Sequence, residues 1–197
     1  MSQGLQIEPI AGHKGIYYQH IMGFEFNKGS QLGILYISSL TSRYAKFNEP
    51  EIMNQLYLTK PVYRGYRFGV GGIHVNTFGL RPSAMLNIYE SAKDFSIVIF
   101  PRADIWKNPS MELMTIMEYR PVLNASISIY SRAQLQTIWN KYHHLKSSQH
   151  FRLGLDNGKV QFGLAAALDQ YGKEFTHYQN YGLFIRTEFP NFPNPRN

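Results

Sequence analysis

The chain has 197 residues, 44% of them hydrophobic and 17% charged, with a formal charge of +7 and no cysteine. That length suits one well-buried domain, or one domain with an appendage, and the missing cysteines exclude a disulfide framework, a thiol nucleophile and a Cys-based zinc site. No window approaches about eighteen consecutive apolar residues, and the start M-S-Q-G-L-Q-I-E-P-I lacks a basic segment followed by an apolar one, so a soluble, cytoplasmic protein with no membrane partner is expected.

Residues 14–38 read as a β-hairpin: K-G-I-Y-Y-Q-H-I-M-G-F-E-F is aromatic and β-branched, N-K-G-S marks a turn, and L-G-I-L-Y-I-S returns. Leu40, Tyr44, Phe47, Ile52 and Leu56 stand near helical spacing, so 40–58 is expected to be helical, bent at Pro50. The Gly-, Tyr- and Arg-rich stretch from Tyr63 to Leu80 reads as an extended insertion carrying exposed cations. Arg81-Pro82-Ser83 opens a predicted helix running to Glu90 or Ala92, and F-S-I-V-I-F, Phe95 to Phe100, is the clearest strand. Asn108 as N-cap and Pro109 as first helical residue then start a Met/Leu-rich helix that carries Glu112.

Beyond Ser128, the spacing of Leu135, Ile138, Trp139, Tyr142 and Leu145 predicts a helix over 131–148. Asp156-Asn157-Gly158 between alternating segments predicts a hairpin turn, because Asn-Gly tolerates the positive φ of a type I′ turn. A short helix near Ala165–Gln170, a strand near Tyr181–Arg186 and an irregular Pro-limited ending complete the tail.

Several short motifs fall in a fixed order. G-I-Y contains Tyr17 and L-Y-I-S contains Tyr36, Arg43 follows, and E-L-M-T-I-M-E-Y-R-P-V-L-N runs from Glu112 to Asn124. In that order the chain resembles the GIY-YIG nuclease superfamily over residues 12–128. The resemblance implies an α+β fold, a small three-stranded antiparallel sheet flanked by helices, with an insertion at 60–80 and a basic C-terminal α/β extension at 129–197 for DNA binding or dimerisation. It implies a metal-dependent endonuclease, of restriction type first, and of homing type as the alternative. Ser38 stands where the family has a glycine, and Arg43 follows Tyr36 more closely than is usual, so Arg64 or Arg67 is an alternative phosphate ligand.

Under that resemblance Glu112 would ligate Mg²⁺, with Mn²⁺ as substitute, since a hard cation on the scissile phosphate suits a carboxylate oxygen. Arg43 would hold the phosphate, Tyr17 would be the general base with Tyr36 or His74 next in line, and Asn124 would orient its neighbours. Double-stranded DNA would be the partner, with a homodimer as the assembly the resemblance allows, and it would be held by Arg64, Arg67, Arg132, Lys141, Lys146, Arg152 and Lys159. The basic balance agrees, at 8 Lys/Arg against 4 Asp/Glu in residues 131–197. A non-enzymatic nucleic-acid-binding or virion structural protein, and an RNA-processing protein, are the competing readings.

Overall fold

Alternation with a period of two runs through almost the whole chain, and every long segment is a strand. The computed structural model describes residues 4–26 and 31–190. In chain order the strands are β1 Gly4–Gly12, β2 Gly15–Glu25, β3 Gly33–Arg43, β4 Glu51–Tyr63, β5 Tyr66–Val75, β6 Gly79–Ser91 and β7 Phe95–Asp104. They continue as β8 Ser110–Tyr119, β9 Val122–Asn124, β10 Ile127–Asn140, β11 His144–Asp156, β12 Val160–Tyr171 and β13 Thr176–Pro190. A single 3-10 turn, Tyr44–Lys46, is the helical content among the described residues.

All pairings are antiparallel between sequence neighbours, and the ring closes where β1 pairs with β13 and β10 with both β8 and β11. The three-residue β9 only extends the hairpin that leads into β10, so twelve strands form the wall. Each has at least 9 residues, about the length needed to cross a bilayer as a tilted strand. An even number of strands places Gly4 and Pro190 on one rim, the terminal rim; the hairpins at 13–14, 44–50, 76–78, 105–109, 141–143 and 172–175 form the distal rim. Gly158, at φ +81°, makes the β11–β12 turn that Asp156-Asn157-Gly158 predicts, with Asp156 Oδ1 accepting from its amide at 2.7 Å.

The α+β expectation is therefore corrected. Of the segments predicted as helices, 40–58 is the end of β3, a turn with the 3-10 piece Tyr44–Lys46, and the start of β4, while 81–92, 108–119, 131–148 and 165–170 lie mainly in β6, β8, β10 and β11, and β12. The insertion at 60–80 is the β4–β5 hairpin and the start of β6, and the boundary near 128 falls where β10 begins, inside the same closed sheet. The strands predicted at 14–38, 95–100 and 181–186 do lie in β2–β3, β7 and β13, although the N-K-G-S turn and the Pro-limited ending lie outside the described residues.

Polarity runs opposite to that of a soluble domain. Glu8, Gln19, Gln55, Arg102, Glu112, Arg132, Gln134, His150, Arg152, Asp169 and Arg186 are all buried, facing the lumen. Leu56, Leu58, Val70, Leu113, Phe151, Leu153, Leu155, Phe162, Leu164, Leu183 and Ile185 are exposed on the outer wall. Above and below that band lie exposed aromatics: Phe26, Tyr63, Phe95, Tyr119 and Phe189 toward the terminal rim, and Tyr44, Phe47, Phe78, Trp106, Trp139, Tyr142 and Phe175 toward the distal rim. An apolar band between two aromatic girdles around a polar interior is the pattern of a barrel whose outer solvent is hydrocarbon. Among the described residues no helix is long and apolar enough to cross a membrane; the strands have the length and the apolar outer face that a membrane barrel uses.

Candidate functional site

The lumen, not a cleft, gathers the chain's reactive side chains. On the β6–β7–β8 wall toward the distal rim, Arg102 donates to Glu112 at 2.8 Å and is paired with Asp104, which also accepts from Ser110 at 2.5 Å. Gln136 on β10 donates to the other oxygen of Glu112 at 2.6 Å. Toward the terminal rim Glu118 is the hub: Arg186 approaches it at 2.5 Å, Arg120 at 2.6 Å and Arg132 at 3.3 Å. Glu188 accepts from Arg120 at 2.5 Å and lies 2.6 Å from Arg186.

Several of these contacts span the lumen rather than follow one strand. Arg152 of β11 meets Glu8 of β1 at 2.5 Å. Arg132 of β10 donates to Gln19 of β2 at 3.3 Å, and the shortest path between those strands along the wall passes through β11, β12, β13 and β1. Lys146 of β11 reaches Glu51 of β4 at 2.7 Å, six strands round a twelve-strand ring and so directly opposite. Pairing every buried charge in this way is what a low-dielectric interior requires.

Two of the cavities among the described residues lie along the lumen. The terminal one, about 290 Å³, is lined by Gln6, Asn87, Tyr89, Ser96, Glu118 and Arg132 among others. The distal one, about 320 Å³, is lined by Ser39, Glu51, Gln134, Lys146, His150 and Asp169 among others. Ile37 and Met114 line both, and so stand between them.

The nuclease site is not assembled. Tyr17 on β2 faces the lumen and packs edge-on against His150 at 4.9 Å, whereas Tyr36 on β3 lies on the outer face and donates to Asn54 at 2.8 Å. Arg43, at the distal end of β3, lies over the ring of Tyr178 at 4.2 Å. His74 is on the outer wall of β5. Glu112 sits on a strand near the distal rim, while Asn124 is exposed beyond the opposite end of β8, its side chain accepting from Ser126 and Ile127 amides at 2.9 and 3.0 Å. Both Glu112 oxygens are engaged by Arg102 and Gln136, and among the described residues no three His, Asp or Glu side chains are gathered as a metal-binding group.

The proposed DNA contacts fare no better. Arg132, Lys146 and Arg152 are inside the barrel, Arg67 is paired with Glu25 at 2.8 Å at the terminal rim, and Arg64, Lys141 and Lys159 are on turns at opposite rims. No surface presents them together to a duplex. The residues that organise the lumen, Glu8, Gln19, Glu118 and Arg186, escaped sequence reasoning. Their signal is weak, a single polar residue on the lumen-facing side of a strand that also carries apolar residues there, such as Ile10, Tyr17, Ile116 and Phe184.

No family profile matches the sequence, and no curated protein matches it. Among solved structures the fold is similar to that of the NanC porin, with a TM-score of 0.54 and 11% identity over 95% of this chain and 100% of that one. It is also similar to the KdgM porin, with a TM-score of 0.53 and 8% identity over 93% of this chain and 98% of that one. KdgM in complex with disordered oligogalacturonate matches at a TM-score of 0.52 and 7% identity over 93% and 98%. At such identities the likeness is one of fold. Together with the outward apolar wall it overturns the resemblance to nucleases, the endonuclease activity, the DNA partner, the absence of a membrane partner and the cytoplasmic location.

Proposed function

We propose that this protein is an outer-membrane-type β-barrel that forms a narrow conduit for small polar solutes. One observation carries the reading: on the twelve strands of a closed ring, the outside is an apolar wall, while the inside holds paired charges and amides between two apolar clusters. The outer wall gains free energy in hydrocarbon, and closure leaves no unpaired strand edge to be solvated there. The inside offers hydrogen-bonding groups along its length, and the two cavities provide room for water and solute. The similarity in fold to the NanC and KdgM porins supports a transport role, and with it location in an outer membrane.

Lumen carboxylates and cations largely neutralise one another, as in the Glu8–Arg152, Glu51–Lys146, Glu112–Arg102 and Glu118–Arg186 pairs. The conduit is therefore expected to discriminate more by size than by sign of charge. The purified protein, reconstituted in planar lipid bilayers in potassium chloride, is expected to give stepwise current increments, and vesicles containing it should pass small hydrophilic solutes. A barrel that inserts, as shown by protection from protease, yet leaves bilayer current at the protein-free level would contradict the reading.

A further inference from the structure

Between the two cavities lies a single layer of side chains. Ile37 and Met114 face both chambers, and each is almost wholly buried, at 2% and 4% exposure. Arg132 lines the terminal chamber, whereas Gln19 and Gln134 line the distal one. The Arg132 guanidinium bridges the chambers, its Nη2 donating to Gln19 at 3.3 Å and to Gln134 at 3.0 Å. Gln134 in turn contacts Met114 Sδ at 3.6 Å. The layer thus runs from β2 and β3 across to β8 and β10.

We propose that this waist of Arg132, Gln19, Gln134, Ile37 and Met114 sets the size limit of the conduit, so that these residues determine which solutes pass. The proposal deepens the channel reading and rests on it. The bridges at the mouths are poorer candidates. Glu51 of the Lys146–Glu51 bridge keeps 39% of its side chain in solvent, and Glu25 and Glu188 at the terminal rim keep 33% and 30%. Wet, long-stemmed pairs at a rim swing aside readily. Arg132, with 2% of its side chain exposed, is fixed by Glu118 at 3.3 Å as well as by the two glutamines. Its apolar neighbours Ile37 and Met114 pack in one cluster with Leu35, Tyr57, Met85, Phe100 and Ile116, and an apolar constriction resists wetting.

The lack of native cysteine allows a clean test. Ser96→Cys places a thiol in the terminal chamber and Ser39→Cys one in the distal chamber. With the full chain in a planar bilayer, a bulky, membrane-impermeant methanethiosulfonate is added to one side or the other and the change in current is followed. Each thiol should react about tenfold faster from its own side than from across the waist. In an Ile37→Ala/Met114→Ala background that ratio should fall toward one while the current per channel rises. Equal rates from both sides with the native waist, in a barrel that conducts, would overturn the waist proposal and leave the channel standing. Absence of current from every form would overturn the channel reading and the waist with it. The two single-cysteine proteins with the native waist decide the matter even if the widened variant fails to fold.

Discussion

Arg152 illustrates what a residue must satisfy inside this barrel. Its side chain is fully buried, and its Nε and Nη2 both donate to one oxygen of Glu8, at 3.0 and 2.5 Å. Neither charge has bulk water to fall back on, so the pair holds only as a pair. Arg152→Met leaves the Glu8 carboxylate stranded and is expected to destabilise the folded barrel by about 3–5 kcal/mol, read as an earlier midpoint in urea unfolding from vesicles. Adding Glu8→Leu to that variant should recover much of the loss, because two apolar side chains in place of the pair leave no unpaired charge. The four-way contact at Glu118 with Arg120, Arg132, Arg186 and Tyr130 follows the same logic with more members.

At the scale of the element, each strand presents one face to lipid and one to the lumen, and the two faces tolerate different changes. Leu164 and Leu183 are directly paired on the outer wall of β12 and β13, midway between the rims. Leu183→Arg is expected to cost about 2–4 kcal/mol in folding into vesicles, whereas Tyr142→Arg, on an exposed distal turn, should cost at most about 1 kcal/mol. Equal costs at the two positions would mean that the wall does not face hydrocarbon.

The same two-faced character explains which elements were legible in the sequence. The β2–β3 hairpin, the β11–β12 turn with its immediate flanks and the strand at β7 carry turn residues and β-branched runs, and they were readable. The β8 segment S-M-E-L-M-T-I-M-E-Y carries apolar residues on both faces, because Met114 and Ile116 help fill the waist side of the lumen. Its near-continuous apolar run after Asn108-Pro109 therefore mimics a capped helix. In β10 the buried stripe is Tyr130, Arg132 and Gln134, while Leu135 and Trp139 lie outside. Reading apolar residues as core picks out the wrong set there and finds helical spacing among them. The site was illegible for a related reason. Glu112 and Asn124 are twelve positions apart, close if a helix and turn lie between them but at opposite ends of β8 when that segment is extended.

For the molecule as a whole, closure accounts for most of the architecture. With β1 joined to β13 and β10 to β11, every long strand has two neighbours, so no backbone edge faces the apolar solvent outside. Closure also creates an interior too narrow to be empty, and cross-lumen pairs such as Lys146–Glu51 fill part of it. On the proposed membrane reading, the aromatic girdles at both rims set how deeply the ring sits in a bilayer. Part of the +7 charge is turned inward, with Arg132, Lys146, Arg152 and Arg186 paired in the lumen.

A membrane-embedded barrel requires that the outer face of the wall meets lipid. A nitroxide scan from Leu164 to Leu168 on β12, in reconstituted vesicles, tests it where the sequence L-A-A-A-L gives no alternation of its own. Collisions with oxygen, which concentrates in hydrocarbon, should peak at 164, 166 and 168, and collisions with a water-soluble paramagnetic complex at 165 and 167. A repeat of about 3.6 residues, or water-soluble access strongest at 164, 166 and 168, would contradict a lipid-embedded barrel.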